Sequence, residues 1–370
     1  MERFNVPRLG FGMMRLPRNA DGTINIEETC EMTDLFLQSG LKYFDTAFVY
    51  EGSEEAVRKA LVERHPRDSY YLTTKLNAGT WAAKSAEEAK KELEISLERT
   101  GAGYFDFYLL HALGEGNLAN YENYGIWEFV KEAKEKGLIR HFGFSFHDTP
   151  EVLDRILNEH PDAEVVQLQI NWADWDNPSV NSRGCYEVAS KHGKQVIVME
   201  PVKGGTLVNL PPAIKDLFKA ADPDASAASW AIRFAASLEN VMVVLSGMSN
   251  LAQMQDNVSY MKDFRPLDEE ERKVIAKAQE ILSGMDQIPC TGCSYCTGGC
   301  PMSIHIPDIF NAMNRNLLYG MFDDAKKRYE RASKAGAPAS ACIHCLQCED
   351  ACPQHIEITK WLERAAEAFE

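Results

Sequence analysis

The sequence predicts an α/β protein in which a closed (β/α)₈ TIM barrel of about 265 residues is followed by a small, mostly helical C-terminal domain. Eight short runs rich in Val, Ile, Leu, Phe and Tyr recur along the barrel region, and a helical pattern follows each of them. The composition changes near residue 284, because eight of the ten cysteines lie beyond that point.

The eight apolar runs are predicted strands of six or seven residues each. Most of them are nearly continuous in apolar residues, which is typical of parallel strands that are buried on both faces. The predicted strands are 8–13, 41–46, 69–75, 105–111, 141–146, 165–171, 195–200 and 241–247.

The predicted helices carry local start and stop signals. Residues 53–63 open with a serine cap and two acids, 149–159 begin with Thr149 and Pro150, and 85–99 end before Gly101. An open doubly wound sheet is the alternative fold, but no G-x-G-x-x-G follows a strand. The remaining predicted helices are 27–38, 124–136, 181–192, 224–238, 250–261, 267–283, 307–334 and 358–369.

The charge and the hydropathy pattern bear on partners and location. Acids outnumber bases 55 to 39, so the formal charge is -16, which argues against nucleic acid or an anionic membrane as partner. The N-terminus lacks the apolar region of a secretory signal, and no apolar run approaches about 18 residues. We expect a cytoplasmic protein that binds neither nucleic acid nor membrane.

The C-terminal cysteines repeat one spacing twice. Each copy reads C-x₂-C-x₂-C-x₃-C-P, ending at Cys300-Pro301 and at Cys352-Pro353. This spacing is the bacterial ferredoxin pattern for [4Fe–4S] clusters, in which the fourth cysteine of each copy ligates the other cluster. Structural zinc and disulfides are the alternatives, although zinc rarely needs eight cysteines in this order. The predicted cluster ligands are Cys290, Cys293, Cys296 and Cys352 for one cluster, and Cys300, Cys342, Cys345 and Cys348 for the other.

The segment 285–355 therefore resembles a two-cluster ferredoxin domain with a longer helical insert. We predict a barrel domain over residues 1–284 and a ferredoxin-like domain over residues 285–370.

Ionisable residues follow three consecutive strands of the predicted barrel. Asp45, Lys75 and His111 end the second, third and fourth strands, and Tyr50 lies in the loop after the second. Chemistry in (β/α)₈ enzymes takes place at this end of the barrel. A lysine ammonium lowers the pKa of a neighbouring phenol, and an aspartate keeps the lysine charged. The group suits protonation of an alkoxide while hydride reaches a carbonyl carbon, with the histidine bound to the carbonyl oxygen.

At these residues the chain resembles the aldo-keto reductase family over about residues 5–265. The matching pieces include Pro7 to Gly12, Asp45-Thr46-Ala47 with Tyr50, Thr74-Lys75 and Leu110-His111. The resemblance implies a (β/α)₈ barrel that uses a nicotinamide cofactor, with Asp45, Tyr50, Lys75 and His111 as the catalytic tetrad.

The same resemblance implies the cofactor contacts. Ser145 and Gln167 would hold the nicotinamide carboxamide, with Asn171 facing the same pocket, and Lys203 would meet the pyrophosphate. Met199 stands where the family often has a stacking tyrosine. The basic residues that often bind a 2′-phosphate are missing, so NADP and NAD both remain open. The segment on the adenosine phosphate contains Gly247, Gln253 and Asn257.

The two halves together predict an NAD(P)-dependent oxidoreductase acting on a small carbonyl or alcohol substrate. Tyr50 is the predicted general acid and base, and the two [4Fe–4S] clusters exchange electrons with an external carrier. Two alternatives remain open. In one, the clusters are structural or oxygen-sensing, and in the other the barrel is a non-catalytic module that senses its cofactor. No convincing flavin motif is present.

Overall fold

A computed structural model describes residues 4, 6–79, 82–178 and 180–370. Within them, eight parallel strands close into a barrel in chain order, which confirms the predicted (β/α)₈ fold. The strands are β1 (Leu9–Gly12), β2 (Tyr43–Asp45), β3 (Tyr71–Leu76), β4 (Phe105–Leu113), β5 (Ile139–Phe146), β6 (Val165–Gln169), β7 (Gln195–Met199) and β8 (Val241–Ser246).

The register places the carboxyl ends of the strands at one rim. Gly12 of β1 pairs with Asp45, Lys75 pairs with Leu109 of β4, and Ser145 pairs with Gln167. The barrel closes where β1 pairs with β8. Side chains from several strands fill the interior, and all of them are buried: Tyr43, Phe107, Leu109, Val165, Ile197, Met242, Val243 and Leu245.

Helices follow the strands, and local signals set their ends. Gly101 ends the helix Ala86–Thr100 in the left-handed region, with φ 65, and Thr149 caps the helix Pro150–Glu159. The predicted helix 53–63 is a helix over Ser53–Val57 followed by a π-helical turn over Arg58–Val62. The barrel helices are α1 (Ile26–Gln38), α2 (Ser53–Val57), α3 (Ala86–Thr100), α4 (Glu115–Asn123), α5 (Ile126–Glu135), α6 (Pro150–Glu159), α7 (Ser182–Lys191), α8 (Pro212–Ala221), α9 (Ala227–Ala236) and α10 (Leu251–Met261).

The remaining helices occupy the C-terminal part. The predicted helical stretch 307–334 is two helices, because Gly320 ends the first of them in the left-handed region, with φ 65. These helices are α11 (Glu269–Ser283), α12 (Tyr295–Gly298), α13 (Ile306–Tyr319), α14 (Phe322–Ala335), α15 (Gln347–Asp350) and α16 (Ile358–Phe369). In the described part of the chain, no helix has both the length and the hydropathy needed to cross a membrane.

The chain forms two compact units. The first comprises residues 1–176, 181–201 and 229–267 and holds all eight strands, and the second comprises 177–180, 202–228 and 268–370. The second unit has its own apolar core, formed mainly by one face each of α13, α14 and α16. Its largest members are Ile306, Ile309, Phe310, Met313, Tyr329, Leu362 and Phe369.

Candidate active site and cysteine sites

A buried ion pair lies at the carboxyl ends of β2 and β3. The Nζ atom of Lys75 donates to Oδ1 of Asp45 at 2.5 Å and to the carbonyl oxygen of Thr46 at 2.7 Å. The two charged side chains are 1% and 4% exposed. Burial raises the pKa of Asp45 and lowers the pKa of Lys75, while the contact between the two charges opposes both shifts. The contact with Asp45 favours the charged form of the Lys75 side chain in this buried position.

The ring of Tyr50 lies close to both the ammonium and the imidazole. Nζ of Lys75 is 5.1 Å from the centroid of the Tyr50 ring, and the ring of His111 is 5.8 Å away in an edge-on arrangement. Tyr50 is half-buried in the loop between β2 and α2. The hydroxyl of Ser53, at the start of α2, donates to the carbonyl oxygen of Met13 at 2.9 Å and so fixes this loop. The structure therefore brings the four predicted residues together at one rim.

His111 is a buried, neutral imidazole. Burial is the main cause that holds its pKa well below the ordinary value, and the charge of Lys75 adds to it. Its Nδ1 atom has no hydrogen-bond partner in the described structure. The hydroxyl of Tyr121 donates to the His111 carbonyl oxygen at 2.6 Å and accepts from the backbone N–H of Ala78 at 3.2 Å. Tyr121 thus ties the ends of β3 and β4 together behind the imidazole.

Two buried acidic side chains support the same rim, and neither was predicted from the sequence as part of the site. Glu54 accepts from the hydroxyl of Thr74 at 2.7 Å, and Glu92 accepts from the backbone N–H of Asn77 at 2.7 Å. Burial raises the pKa of Glu92 to about 8. The signal for Glu92 is visible in α3, where an acid stands on the face that also buries Ala89, Leu93 and Ser96.

Ser145 and Gln167 lie side by side on β5 and β6. The Ser145 hydroxyl oxygen accepts from the backbone N–H of Ala112 at 2.7 Å, which leaves its proton available to another acceptor. The Oε1 atom of Gln167 is buried and has no hydrogen-bond partner in the described residues. Buried amide oxygens are normally hydrogen-bonded, so this atom indicates a site for a donor.

The side chain of Asn171 is held by hydrogen bonds within the first compact unit. Its amide group donates to Oδ2 of Asp174 at 2.9 Å and to the carbonyl oxygen of Glu200 at 3.3 Å, while its oxygen accepts from the backbone of Asp174. Met199 ends β7 and is half-buried. Glu200, which follows, is in the left-handed region with φ 55 and lies 3.3 Å from Arg15.

The predicted adenosine-phosphate segment is held by its own hydrogen bonds. Oε1 of Gln253 accepts from the backbone N–H of Ser249 at 2.8 Å. Asn257 is buried, donates to the hydroxyl of Ser246 at 2.7 Å and accepts from Tyr260 at 2.6 Å. Gly247 follows β8 in the first compact unit. Lys203 is a buried residue of the second compact unit.

The eight C-terminal cysteines line two separate cavities. Both cavities have a mostly apolar lining beside the cysteines, and Ile306 contributes to each. Each set combines three cysteines of one sequence copy with the fourth cysteine of the other, as the spacing predicts. One cavity is lined by Cys290, Cys293, Cys296 and Cys352, and the other by Cys300, Cys342, Cys345 and Cys348.

The two copies share their backbone conformation as well as their spacing. Left-handed residues recur 52 positions apart, with Gly292 at φ 67 and His344 at φ 54, and with Ser294 at φ 66 and Leu346 at φ 63. A third pair, Ser303 and His355, follows the fourth cysteine of each copy with φ 55 and φ 50. Each loop therefore turns in the same way around its cavity.

Two family models match the chain. The model of the aldo/keto reductase family matches residues 8–280, and the model of the 4Fe-4S dicluster domain matches residues 289–357. A protein described as an aldo-keto reductase of Mycobacterium avium (strain 104) is 29% identical over 240 residues, which cover 64% of this chain and 75% of that protein. An aldo-keto reductase of Mycolicibacterium paratuberculosis is 30% identical over 241 residues, with the same shares.

Solved structures match the fold. The holo form of an aldo-keto reductase from Bacillus halodurans superposes with a TM-score of 0.58 at 24% identity, covering 75% of this chain and 96% of that chain. An aldo-keto reductase from Klebsiella pneumoniae in complex with NADPH gives a TM-score of 0.58 at 20% identity, covering 74% of this chain and 90% of that chain.

The buried carboxyl of Glu92 predicts a pH dependence of stability. Its folded pKa of about 8 lies above the unfolded value, so the folded state holds a proton that the unfolded state has already released. We expect the free energy of unfolding to fall as the pH rises through this interval. Glu92→Gln, which keeps an acceptor for Asn77, should flatten that fall. Urea unfolding of both proteins from pH 5 to pH 9 measures it, and parallel curves would contradict the assignment.

Proposed function

Because the chain belongs to the aldo/keto reductase family, we propose that it transfers hydride between a nicotinamide cofactor and a small carbonyl or alcohol substrate, with Tyr50 as general acid and base. The supporting observation is the ring of Tyr50 beside the buried Lys75–Asp45 pair, with Nζ 5.1 Å from the ring centroid. An ammonium at this position stabilises the phenolate, so Tyr50 gives up its proton more readily than an isolated tyrosine.

The proton chemistry divides between Tyr50 and His111. In the reducing direction, Tyr50 donates its proton to the oxygen of the substrate, and in the oxidising direction the phenolate takes the proton back. His111 is neutral, so its imidazole donates a hydrogen bond to the carbonyl oxygen without adding a positive charge. Asp45 keeps Lys75 charged throughout, and Tyr121 orients His111 through its backbone carbonyl.

The residues at the rim fit a nicotinamide carboxamide. The Ser145 proton suits a carbonyl oxygen, and the unpaired Oε1 of Gln167 suits an amide N–H, so the pair complements both ends of a primary amide. When bound, a nicotinamide supplies or accepts the hydride. NADP is a candidate because the Klebsiella pneumoniae structure of the same fold is bound to NADPH. Met199, at the end of β7, would contact the nicotinamide ring. The proposed phosphate contacts of the first compact unit are Gly247, Gln253 and Asn257.

The second unit is proposed to hold two [4Fe–4S] clusters. Four thiols around each apolar cavity form the donor set that this cluster requires. Burial raises the pKa of Cys296 and Cys348 in the structure, and coordinated iron would offset that cost by binding the thiolate. When bound, the clusters supply one-electron exchange with an external carrier.

We also propose that the domain boundary lies at residue 284, between the two family matches.

Tyr50→Phe tests the role of the phenol. The substitution removes the transferable proton and leaves the ring in place, so we expect kcat for NAD(P)H-dependent carbonyl reduction to fall by about 10²- to 10⁴-fold. Single-turnover oxidation of NADPH and NADH with a panel of aldehydes and ketones measures it.

Tyr71→Phe is the matched control for this experiment. Tyr71 is also half-buried, but it opens β3 at the amino end, away from the rim that carries Lys75. Its kcat should equal that of the wild-type protein. Equal turnover in Tyr50→Phe would contradict the proposed role of the phenol.

Cys293→Ala tests the ligand sets. The wild-type protein, purified without oxygen, should contain about eight irons per chain, and the variant should lose one cluster and retain about four. Cys185→Ala is the control, because this buried thiol belongs to α7 of the barrel unit. Iron and acid-labile sulfide assays give the count. Zinc in place of iron, or an unchanged count in Cys293→Ala, would overturn the assignment.

A further inference from the structure

Strand β4 carries an irregularity at His111. Leu110 of β4 pairs with Phe144 of β5, and the next pair along the two strands is Leu113 with Phe146. Three steps along β4 therefore face two steps along β5, so β4 holds one extra residue here. A β-bulge of this kind bends the strand and reorients the side chains beside it. The bulge lies at the residue that is proposed to bind the carbonyl oxygen of the substrate.

The residue after His111 has an unfavourable backbone conformation. Ala112 has a φ of 56, in the left-handed region, where the Cβ atom of an L-residue comes too close to the following carbonyl oxygen. Asparagine and aspartate can offset this cost with a local hydrogen bond from their own side chain, but alanine cannot. The conformation of Ala112 must therefore be held by the residues around it.

Side chains hold the backbone of the bulge. The hydroxyl of Tyr121 donates to the carbonyl oxygen of His111 at 2.6 Å, and the Ser145 hydroxyl oxygen accepts from the backbone N–H of Ala112 at 2.7 Å. Both bonds act on the one peptide group that joins His111 to Ala112. The next carbonyl oxygen, that of Ala112, accepts from Nδ2 of Asn117 at 2.8 Å.

Asn117 holds this turn through both ends of its amide group. While Nδ2 donates to Ala112, the Oδ1 atom accepts from the backbone N–H of Gly114 at 3.1 Å. Asn117 and Tyr121 lie four residues apart on α4, so they share one face of that helix. The bulge is thus held from α4 by Asn117 and Tyr121, and from β5 by Ser145.

We propose that Asn117 is a positioning residue for His111, because it maintains the left-handed turn at Ala112. A change in φ at Ala112 rotates the preceding peptide group and with it the Cα–Cβ bond of His111. The Nδ1 atom of His111 has no hydrogen-bond partner among the described residues, so the backbone and the packing set the direction of the ring. The inference rests on the proposed function, in which His111 donates a hydrogen bond to the carbonyl oxygen of the substrate.

Asn117→Asp and Asn117→Ala test this role. Aspartate has nearly the same shape and keeps an oxygen for the N–H of Gly114, but it loses the N–H that Asn117 donates to Ala112. We expect kcat/KM for the carbonyl substrate to fall by about 10- to 100-fold in both variants, because the imidazole is displaced. The dissociation constant of the nicotinamide cofactor, measured by fluorescence titration, should stay within about twofold of the wild-type value.

A glycine at the turn should reduce the need for Asn117. Glycine reaches a positive φ without a Cβ clash, so the turn requires less support. In an Ala112→Gly background, the further loss of kcat/KM caused by Asn117→Ala should shrink to about threefold or less. Asn123→Ala is the matched control, because Asn123 is exposed at the C-terminal end of the same helix, and its kcat/KM should equal that of wild type.

Each contrary result is distinct. Wild-type kcat/KM in Asn117→Asp would reduce Asn117 to a support for the start of α4 and would overturn the inference. The inference would also fail if Asn117→Ala cost the same in both backgrounds, or if cofactor binding weakened as much as kcat/KM. A wild-type protein that oxidises neither NADPH nor NADH with any aldehyde or ketone would overturn the proposed function itself, and this inference with it.

Discussion

The ammonium of Lys75 lies inside the barrel wall, where Asp45 and the carbonyl oxygen of Thr46 accept its protons. Burial alone would drive both members of the pair towards their neutral forms, and their contact opposes that tendency. The barrel maintains this contact by pairing β2 with β3 in a fixed register. In the proposed mechanism, the acid and base role of Tyr50 depends on that single charge.

Burial also affects the protonation of the cysteines in the second unit. Buried thiols such as Cys296 have raised pKa values, so the loops on their own favour the protonated form. The proposed iron would reverse this preference and thereby couple metal binding to the folding of the unit. The two loops share one backbone design.

Strands and ligand spacing were predictable from sequence because both are local patterns. Each strand end lies within two residues of its predicted bound, and the two cysteine sets line two cavities as the spacing predicts. Four helices were not predicted. Two of them, α12 and α15, have only four residues, α4 buries only Leu118 and Tyr121, and α8 begins at Pro212 directly after Pro211. Glu92 and Tyr121 were missed as supports of the site, because their partners Asn77 and His111 lie on other elements.

The pH dependence of carbonyl reduction in Asp45→Asn tests the central claim most directly. Asparagine keeps an oxygen for the Lys75 ammonium but removes the charge that opposes the burial shift, so Lys75 should lose its proton. In the proposed mechanism, loss of the ammonium removes the charge that stabilises the phenolate form of Tyr50. We predict a lower kcat whose alkaline limb lies at higher pH than in the wild-type protein. An alkaline limb that stays in place, or that moves to lower pH, would contradict the account.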